Sequence, residues 1–317
     1  MRLVFCGTPA FAVPVLEAGL AAGHEVAMVV TQPDRAAGRG MEIQAPAVKR
    51  LAVERGLPVV QPERIKKNEE FRRQLEEVRP DAIVVVAYGR IIPEWMLSLP
   101  RFGNINLHGS LLPKYRGAAP VQWAVANGET VTGVTTMKLD AGLDTGDMLL
   151  ARAVPIGEEM GAAEVFDVLA EVGAVLMVET LAGLEAGTVF PVAQDHSRST
   201  AAPILTREDG LVDFAQGARR IYDRWRGFYP WPGAHTVFRG KKLILHGLRP
   251  ARFESVPEGA ESTREGELVA EGEGLMVVCG GLTVLRVDEL QVEGKRRMTA
   301  GEFVRGYQVK TGERLGA

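Results

Sequence analysis

Short apolar runs, broken by turn residues and separated by stretches with helical spacing, set the pattern of the first half of the chain. Leu3 to Cys6 reads as a buried strand that stops at Gly7-Thr8-Pro9. Apolar positions from Phe11 to Ala22 then recur with helical period, and Val26 to Val30 is a second strand of the same kind. Strand, helix and strand in this order predict a parallel sheet. Past a polar loop, TQPDRAAGRGMEIQAP, the pattern predicts a helix around Val48 to Arg55, a strand at Val59-Val60 and a charged helix near Asn68 to Val78. Ala82 to Ala87 is the most apolar strand and ends at Tyr88-Gly89; Asn104 to Leu107 is the next. Val131 to Leu139 and Met148 to Val154 read as later strands, and Ala162 to Ala186 as a long helix.

The pattern changes near residue 190. Phe190 to Leu205, FPVAQDHSRSTAAPIL, has little periodicity and reads as a linker. A helix at Gly217 to Arg226 is followed by alternating strands broken by glycine in GFYPWPGAHTVFRGKKLILHGLRP. Short strands then recur at Glu267 to Val269, Leu275 to Cys279 and Thr283 to Val287. Short strands with regular turns predict a small β-barrel or sandwich. The expected fold class is therefore α/β: a Rossmann-like, mostly parallel sheet domain followed by a smaller β-barrel domain. A chain of 317 residues is long enough for two such cores.

Charge and cysteine usage narrow the setting. A net charge of −3 gives no global basic field, so any contact with nucleic acid must come from local patches. Cys6 and Cys279 stand apart from each other and from any CxxC spacing, which argues against a disulfide framework or a zinc site and for a reducing compartment. The opening MRLVFCGTP lacks the charged, apolar and small-residue order of a signal peptide, and no run of about eighteen apolar residues occurs. A soluble, cytoplasmic protein is expected. No GxGxxG, Walker A or HExxH sequence is present. Gly7 to Pro9 can cradle a phosphate at a helix start or be a plain strand-to-helix turn.

Candidate chemistry concentrates in Asn104 to Asp147, NINLHGSLLPKYRGAAPVQWAVANGETVTGVTTMKLDAGLDTGD. Asn106 and His108 are i and i+2 at a strand end, so an extended backbone points both to one face. Asp144 lies in AGLDTGD, whose two glycines permit a tight loop able to return its carboxylate to the imidazole. An amide, an imidazole and a carboxylate at the carboxyl end of a strand are equipment for acyl transfer, and open α/β sheets place their sites there. Residue types alone leave a structural histidine open, and leave SLLP open between a ligand-binding segment and a structural turn.

The pieces FCGTPAFAVPVL, VVTQPDRAAGRG, VVVAYGRIIP, NINLHGSLLPKYRGAAPVQWA, TGVTTMKLDAGLDTGDML and YPWPGAH run from one end of the chain to the other. Together they resemble the folate-dependent formyltransferases; SLLPKYRG after Asn-x-His, followed by GLDTG, carries the resemblance. The TQPDRAAGRG loop and the PWP segment narrow it to the branch that acts on methionyl-tRNA. The resemblance implies a formyltransferase catalytic domain over residues 1–189 with an inserted tRNA loop at 31–46, a linker at 190–205, and an OB-like β-barrel tRNA-binding domain over 206–317. It implies transfer of the formyl group of 10-formyltetrahydrofolate to the α-amine of methionyl initiator tRNA. No metal, no covalent acyl-enzyme, no membrane and no obligatory protein partner enter.

Family roles fall on Asn106, His108 and Asp144 as the catalytic trio. Folate binding falls on Ser110, Leu111, Leu112 and Pro113 and on the loop Tyr88, Gly89, Arg90 and Ile91. For the tRNA, whose phosphates need cations, the resemblance implies Arg35 and Arg39 of the inserted loop. A second surface would draw on Arg219-Arg220, Arg224 with Arg226, Lys241-Lys242 and Lys295 to Arg297, with Lys241, Lys242 and Arg296 as its expected contacts. Met41-Glu42 stand where many relatives carry lysines, Ile204 where a lysine is expected, Phe214 where tryptophan is common, and Ala10 where aspartate is usual. Rival readings are a 10-formyltetrahydrofolate hydrolase, a formyltransferase for another small amine, and a folate- or RNA-binding module without catalysis.

Overall fold

A computed structural model describes residues 1–37, 42–251 and 264–316. The chain divides into two compact units that do not follow chain order. Unit 1 comprises 1–120, 131–155 and 164–203; unit 2 comprises 121–130, 156–163 and 204–317.

Unit 1 begins with strand β1 (Arg2–Gly7), helix α1 (Val13–Ala21) and strand β2 (Glu25–Val30). A two-stranded hairpin, β3 (Arg35–Ala37) and β4 (Glu42–Gln44), is followed by α2 (Ala47–Glu54), β5 (Val59–Val60), α3 (Glu69–Val78) and β6 (Ala82–Val86). Then come α4 (Glu94–Leu97) and β7 (Asn104–His108); α5 (Pro120–Ala126) is counted almost wholly with unit 2, and unit 1 resumes with the strands β8 (Val131–Lys138) and β9 (Met148–Pro155) and the long helix α6 (Ala162–Ala186). The seven strands of the main sheet lie in the order β5-β2-β1-β6-β7-β8-β9. The pairs from β5 to β7 are parallel and those of β8 and β9 are antiparallel.

The sequence pattern explains the centre of this sheet. Every residue of β6, AIVVV, is buried, as a parallel strand covered on both faces requires. α3 begins where the Asn68 side chain accepts a hydrogen bond from the Phe71 N–H at 3.0 Å, and it turns Phe71 and Leu75 inward. α6 lies so close over β7 that a Cβ on Gly173 would come 2.5 Å from Leu107. From β1 the chain moves outward to β2 and β5 and then returns to β6 on the other side. Such a reversal opens a crevice at the carboxyl ends of the strands. The register sets Gly7 beside Val86 and Val85 beside Asn106, so the loops after β1, β6 and β7 share that edge.

The stretch 190–205, read as a linker, has no strand of the sheets and one short 3-10 helix at His196–Arg198, yet it is bonded into unit 1 as far as Ala202. Val192 exchanges two backbone hydrogen bonds with Met148, at 2.8 and 2.9 Å, and Arg116 and Ala202 pair at 2.7 Å.

Unit 2 contains α7 (Ala218–Phe228), the strands β10 (Ala234–Phe238), β11 (Lys241–Ala251), β12 (Leu268–Glu271), β13 (Gly274–Cys279), β14 (Thr283–Val292) and β15 (Met298–Thr299), and α8 (Ala300–Tyr307). Its sheet is antiparallel, in the order β10-β11-β14-β13-β12, with β15 on β14. Ile221 and Tyr222 of α7 and Phe303 of α8 join Leu243, Leu245, Val277, Leu285 and Val287 in its main core. The segments 121–130 and 156–163 complete this unit. Trp123 packs edge-on to Phe228 with ring centres 5.1 Å apart, and Gly227 leaves room for the α5 backbone, where a Cβ would come 2.5 Å from Ala126 N.

α8 starts with a reciprocal cap: Thr299 Oγ1 accepts from the Glu302 N–H at 3.2 Å, and Glu302 Oε2 accepts from the Thr299 N–H at 2.9 Å. Thr299→Ala is expected to lower stability by about 1 kcal/mol. A urea melt that reports no change in midpoint would contradict a stabilising cap.

Candidate active site

β7 ends the most buried part of unit 1 with Asn106 and His108, and both side chains are nearly excluded from solvent. The strand register aligns Asn106 with Met137 and His108 with Thr135, two steps apart on β8, so the two polar side chains share one face. Among the described residues no protein group hydrogen-bonds the Asn106 side chain.

His108 is hydrogen-bonded through one ring nitrogen and faces a carboxylate through the other. Nε2 lies 2.8 Å from the Tyr115 carbonyl, which can only accept, so Nε2 carries a proton. Nδ1 lies 3.6 Å from Asp144 Oδ2, an ion-pair separation longer than a hydrogen bond. The same carboxylate oxygen accepts from the Gly117 N–H at 2.9 Å. Gly117 has φ +125° and a Cβ there would meet the Ala202 carbonyl at 2.6 Å, so glycine is required at this approach.

The AGLDTGD loop brings Asp144 back as its composition suggested, though not through glycine in left-handed backbone. Asp144 itself adopts φ +52°. The glycines provide space: a Cβ on Gly146 would fall 1.8 Å from the Lys138 carbonyl oxygen, and one on Gly142 would fall 2.0 Å from Thr145 Oγ1. Asp140 ties the loop from within, accepting from the Gly142 N–H at 3.0 Å and from Thr145 Oγ1 at 2.7 Å.

The segment Ser110 to Pro113 is fixed against β8. Thr135 Oγ1 donates to the Ser110 carbonyl at 2.7 Å and accepts from the Leu112 N–H at 3.2 Å, and the Leu112–Pro113 peptide is cis. Ser110 is fully buried, with Oγ donating to the Lys114 carbonyl at 2.6 Å, and Leu111 packs over Gly133. Thr135 is fully buried, one of three buried threonines on β8, and nothing in its local sequence sets it apart from Thr132 and Thr136.

The loop after β6 presents backbone outward. Ala87 and Gly89 have φ +46° and +78°, and the Tyr88 carbonyl is bound by Gln32 Nε2 at 3.0 Å and Thr8 Oγ1 at 3.3 Å. Arg90 is spread between Gln32 and the Glu63 carbonyl, while the Ile91 side chain is 88% exposed. The N–H groups of Gly89, Arg90 and Ile91 have no protein partner among the described residues. Burial pushes the Tyr88 phenol well above its ordinary range, and its hydroxyl is buried without a hydrogen-bond partner among the described residues.

The cationic residues are distributed otherwise. Arg35 is exposed on the hairpin and lies opposite Gln44; Arg39 falls outside the described residues. In unit 2, Lys241 and Lys242 are exposed at the start of β11 and form no ion pair among the described residues, whereas Arg296 is exposed but pairs with Glu302 at 2.8 Å. The α7 arginines expected to form a cationic surface are largely consumed by unit 2 itself. Arg226 is buried, bonded to Asp223 at 2.7 Å and to the Gly157 and Met160 carbonyls at 3.2 and 2.7 Å. Arg220 caps α5 through the Ala126 carbonyl and Asn127, each at 3.0 Å, and Arg224 lies over the Phe228 and Trp123 rings. No cluster of metal-ligating side chains and no helix long and apolar enough to span a membrane occurs among the described residues.

Comparisons with known proteins cover both units. Residues 1–181 match the family model described as formyl transferase, and residues 204–308 match that of the formyl transferase C-terminal domain. A methionyl-tRNA formyltransferase from Acidobacterium capsulatum is 62% identical over 317 residues, all of both chains. One from Geobacter metallireducens is 45% identical over all of this chain and 99% of its own. Among solved structures, the N-formyltransferase from Helicobacter canadensis in complex with folinic acid and dTDP-3-aminofucose has a TM-score of 0.64 at 16% identity, covering 90% of this chain and 98% of that one. HypX from Aquifex aeolicus in complex with tetrahydrofolic acid has a TM-score of 0.58 at 19% identity, covering 88% of this chain and 47% of that one. At these identities the structural likeness is one of fold.

Proposed function

The chain belongs to the formyl transferase family, alongside the methionyl-tRNA formyltransferases, and from that premise we propose that it moves a formyl group from 10-formyltetrahydrofolate to the α-amine of methionine carried by initiator tRNA. The observation that supports the chemistry is the convergence of His108 and Asp144 at the strand end where the Asn106 amide has no protein partner among the described residues. The amine attacks the formyl carbon and generates a tetrahedral oxyanion. Asn106 Nδ2–H is the donor for that charge, because His108 Nε2–H is already given to the Tyr115 carbonyl. Collapse breaks the bond to the folate N10, which must gain a proton while the amine loses one; His108 Nδ1, which faces the Asp144 carboxylate at 3.6 Å, takes the amine proton and passes it to N10.

The pterin-like end of the donor is assigned to the open N–H groups of Gly89, Arg90 and Ile91, and to the fixed turn Ser110 to Pro113 with Leu111 and Leu112. Flat heterocycles pair with backbone edges of this kind, and the exposed Ile91 adds apolar cover. For the tRNA, the assignment is to Arg35 and Arg39 on the inserted loop and to Lys241, Lys242 and Arg296 in unit 2. The domain reading, 1–189 catalytic and 206–317 for tRNA, goes with this assignment, and translation initiation implies a cytoplasmic location.

Incubation with 10-formyltetrahydrofolate and methionyl initiator tRNA is expected to yield formyl-methionyl-tRNA. Formate released at the same rate without tRNA, and no formylated tRNA, would instead make the protein a hydrolase. Arg35→Ala and Arg39→Ala are each expected to raise the KM for tRNA by roughly threefold to tenfold and to reduce the salt slope by about one, with kcat little changed. Unaltered tRNA kinetics in both variants would put the RNA surface elsewhere.

A further inference from the structure

The stretch between the last helix of unit 1 and unit 2 touches the candidate site from behind. Gln194 is buried, 5% exposed, and every polar atom of its side chain is engaged. Its Oε1 accepts from Arg116 Nε at 3.1 Å and from Arg116 Nη2 at 2.6 Å. Its Nε2 donates to the Asp144 carbonyl at 2.9 Å and to the Gly146 carbonyl at 2.7 Å. A guanidinium on one side and two carbonyls on the other fix the amide's orientation, since guanidinium only donates and carbonyls only accept. Six residues further on, Thr200 takes hold of the other side of the site. Its Oγ1 accepts from the Tyr115 N–H at 2.8 Å, and its carbonyl accepts from the Arg116 N–H at 2.8 Å. Tyr115 is the residue whose carbonyl holds His108 Nε2.

We propose that Gln194 is a positioning residue for the transfer reaction, fixing the left-handed Asp144 so that its carboxylate stands beside His108, with Thr200 fixing the opposing Tyr115 contact. The proposal rests on the role assigned above to Asp144 and adds to it the device that holds it. Glutamine alone among the side chains has the required pattern. Glutamate can answer Arg116 but has no donor for the two carbonyls; asparagine is one methylene too short; methionine has the length and neither polar function. Asp144 is off the common backbone region for a non-glycine residue, and the Gln194 amide, bonded to the carbonyls of Asp144 and Gly146, is a tie from outside the loop on that state.

The test is a cycle of Gln194→Ala and Asp144→Ala, with Gln194→Glu as a second variant that retains the acceptor for Arg116 and so preserves that side of the fold. Gln194→Ala and Gln194→Glu are each expected to lower kcat by about tenfold to a hundredfold, the scale of a misplacement near 1 Å, with KM for both substrates within about twofold of the parent. The pH profile of kcat should take the shape given by Asp144→Asn. In the Asp144→Ala background, Gln194→Ala should slow the enzyme no further, because residues acting through one another are not additive. An undiminished second loss in that background, a rise in KM at unchanged kcat, or parental rates in Gln194→Glu would each overturn the positioning role. If Asp144→Ala alone left turnover intact, the assignment of Asp144 would be the part that failed.

Discussion

His108→Ala is expected to lower kcat for formyl transfer by about 10²- to 10³-fold while leaving affinity for the folate donor nearly unchanged. The imidazole is buried at the end of β7, bonded through Nε2 to the Tyr115 carbonyl and facing Asp144 through Nδ1. None of its contacts in the protein involves the loop assigned to the pterin, so its removal should be felt when charge develops. Asn106→Ala and Asp144→Ala should follow the same split between kcat and affinity. Steady-state rates with donor and methionyl-tRNA, beside equilibrium binding of the donor, make the comparison. Near-parental turnover in all three variants would remove the mechanism. A loss confined to donor affinity would move these residues from the reaction to the folate slot.

Asp223→Ala is expected to destabilise unit 2 by about 3–5 kcal/mol. Asp223 accepts from Arg226 Nε at 2.7 Å and from Arg219 Nε at 3.1 Å, and it is 5% exposed. Arg226 is 3% exposed and would keep two carbonyl partners but lose its only counter-charge among the described residues. Breaking one side of a buried pair leaves a charge in low dielectric, whereas the exposed Arg249–Asp288 and Arg296–Glu302 pairs contribute little. Guanidinium unfolding with an unchanged slope and a lower midpoint is the expected signature. A loss below about 1 kcal/mol would mean that water reaches Arg226 readily.

The parts of this arrangement that could be read along the chain are those with local periodicity. The apolar strands from Leu3 to Leu107 and the 25-residue α6 announce themselves through burial on both faces or helical spacing. Asn106 and His108 followed from alternation at a strand end, and Asp144 from its glycine neighbours. α5 and α8 carried too few turns for periodicity to emerge, although Thr299 and Glu302 spelled out a cap. Gln194, Thr200 and Thr135 had no local signal, because their partners are 50, 85 and 25 positions away. Arg219, Arg220, Arg224 and Arg226 looked like a basic surface by composition. Their i, i+3 and i, i+4 relation to Asp223 was the cue that two of them serve a buried pair. Antiparallel pairing of β8 and β9 was equally silent, since strand direction depends on connections rather than on residue type.

The interleaved division of the chain bears on how it is made. Residues 121–130 belong to unit 2, yet Arg220, which caps them at Ala126, is synthesised 94 positions later. At roughly 5–20 residues per second, that early segment waits about 5–20 seconds on the ribosome for its partner. Trp123 passes this interval without Phe228, the ring that packs edge-on to it in the folded unit, so that contact forms only once synthesis has run past α7.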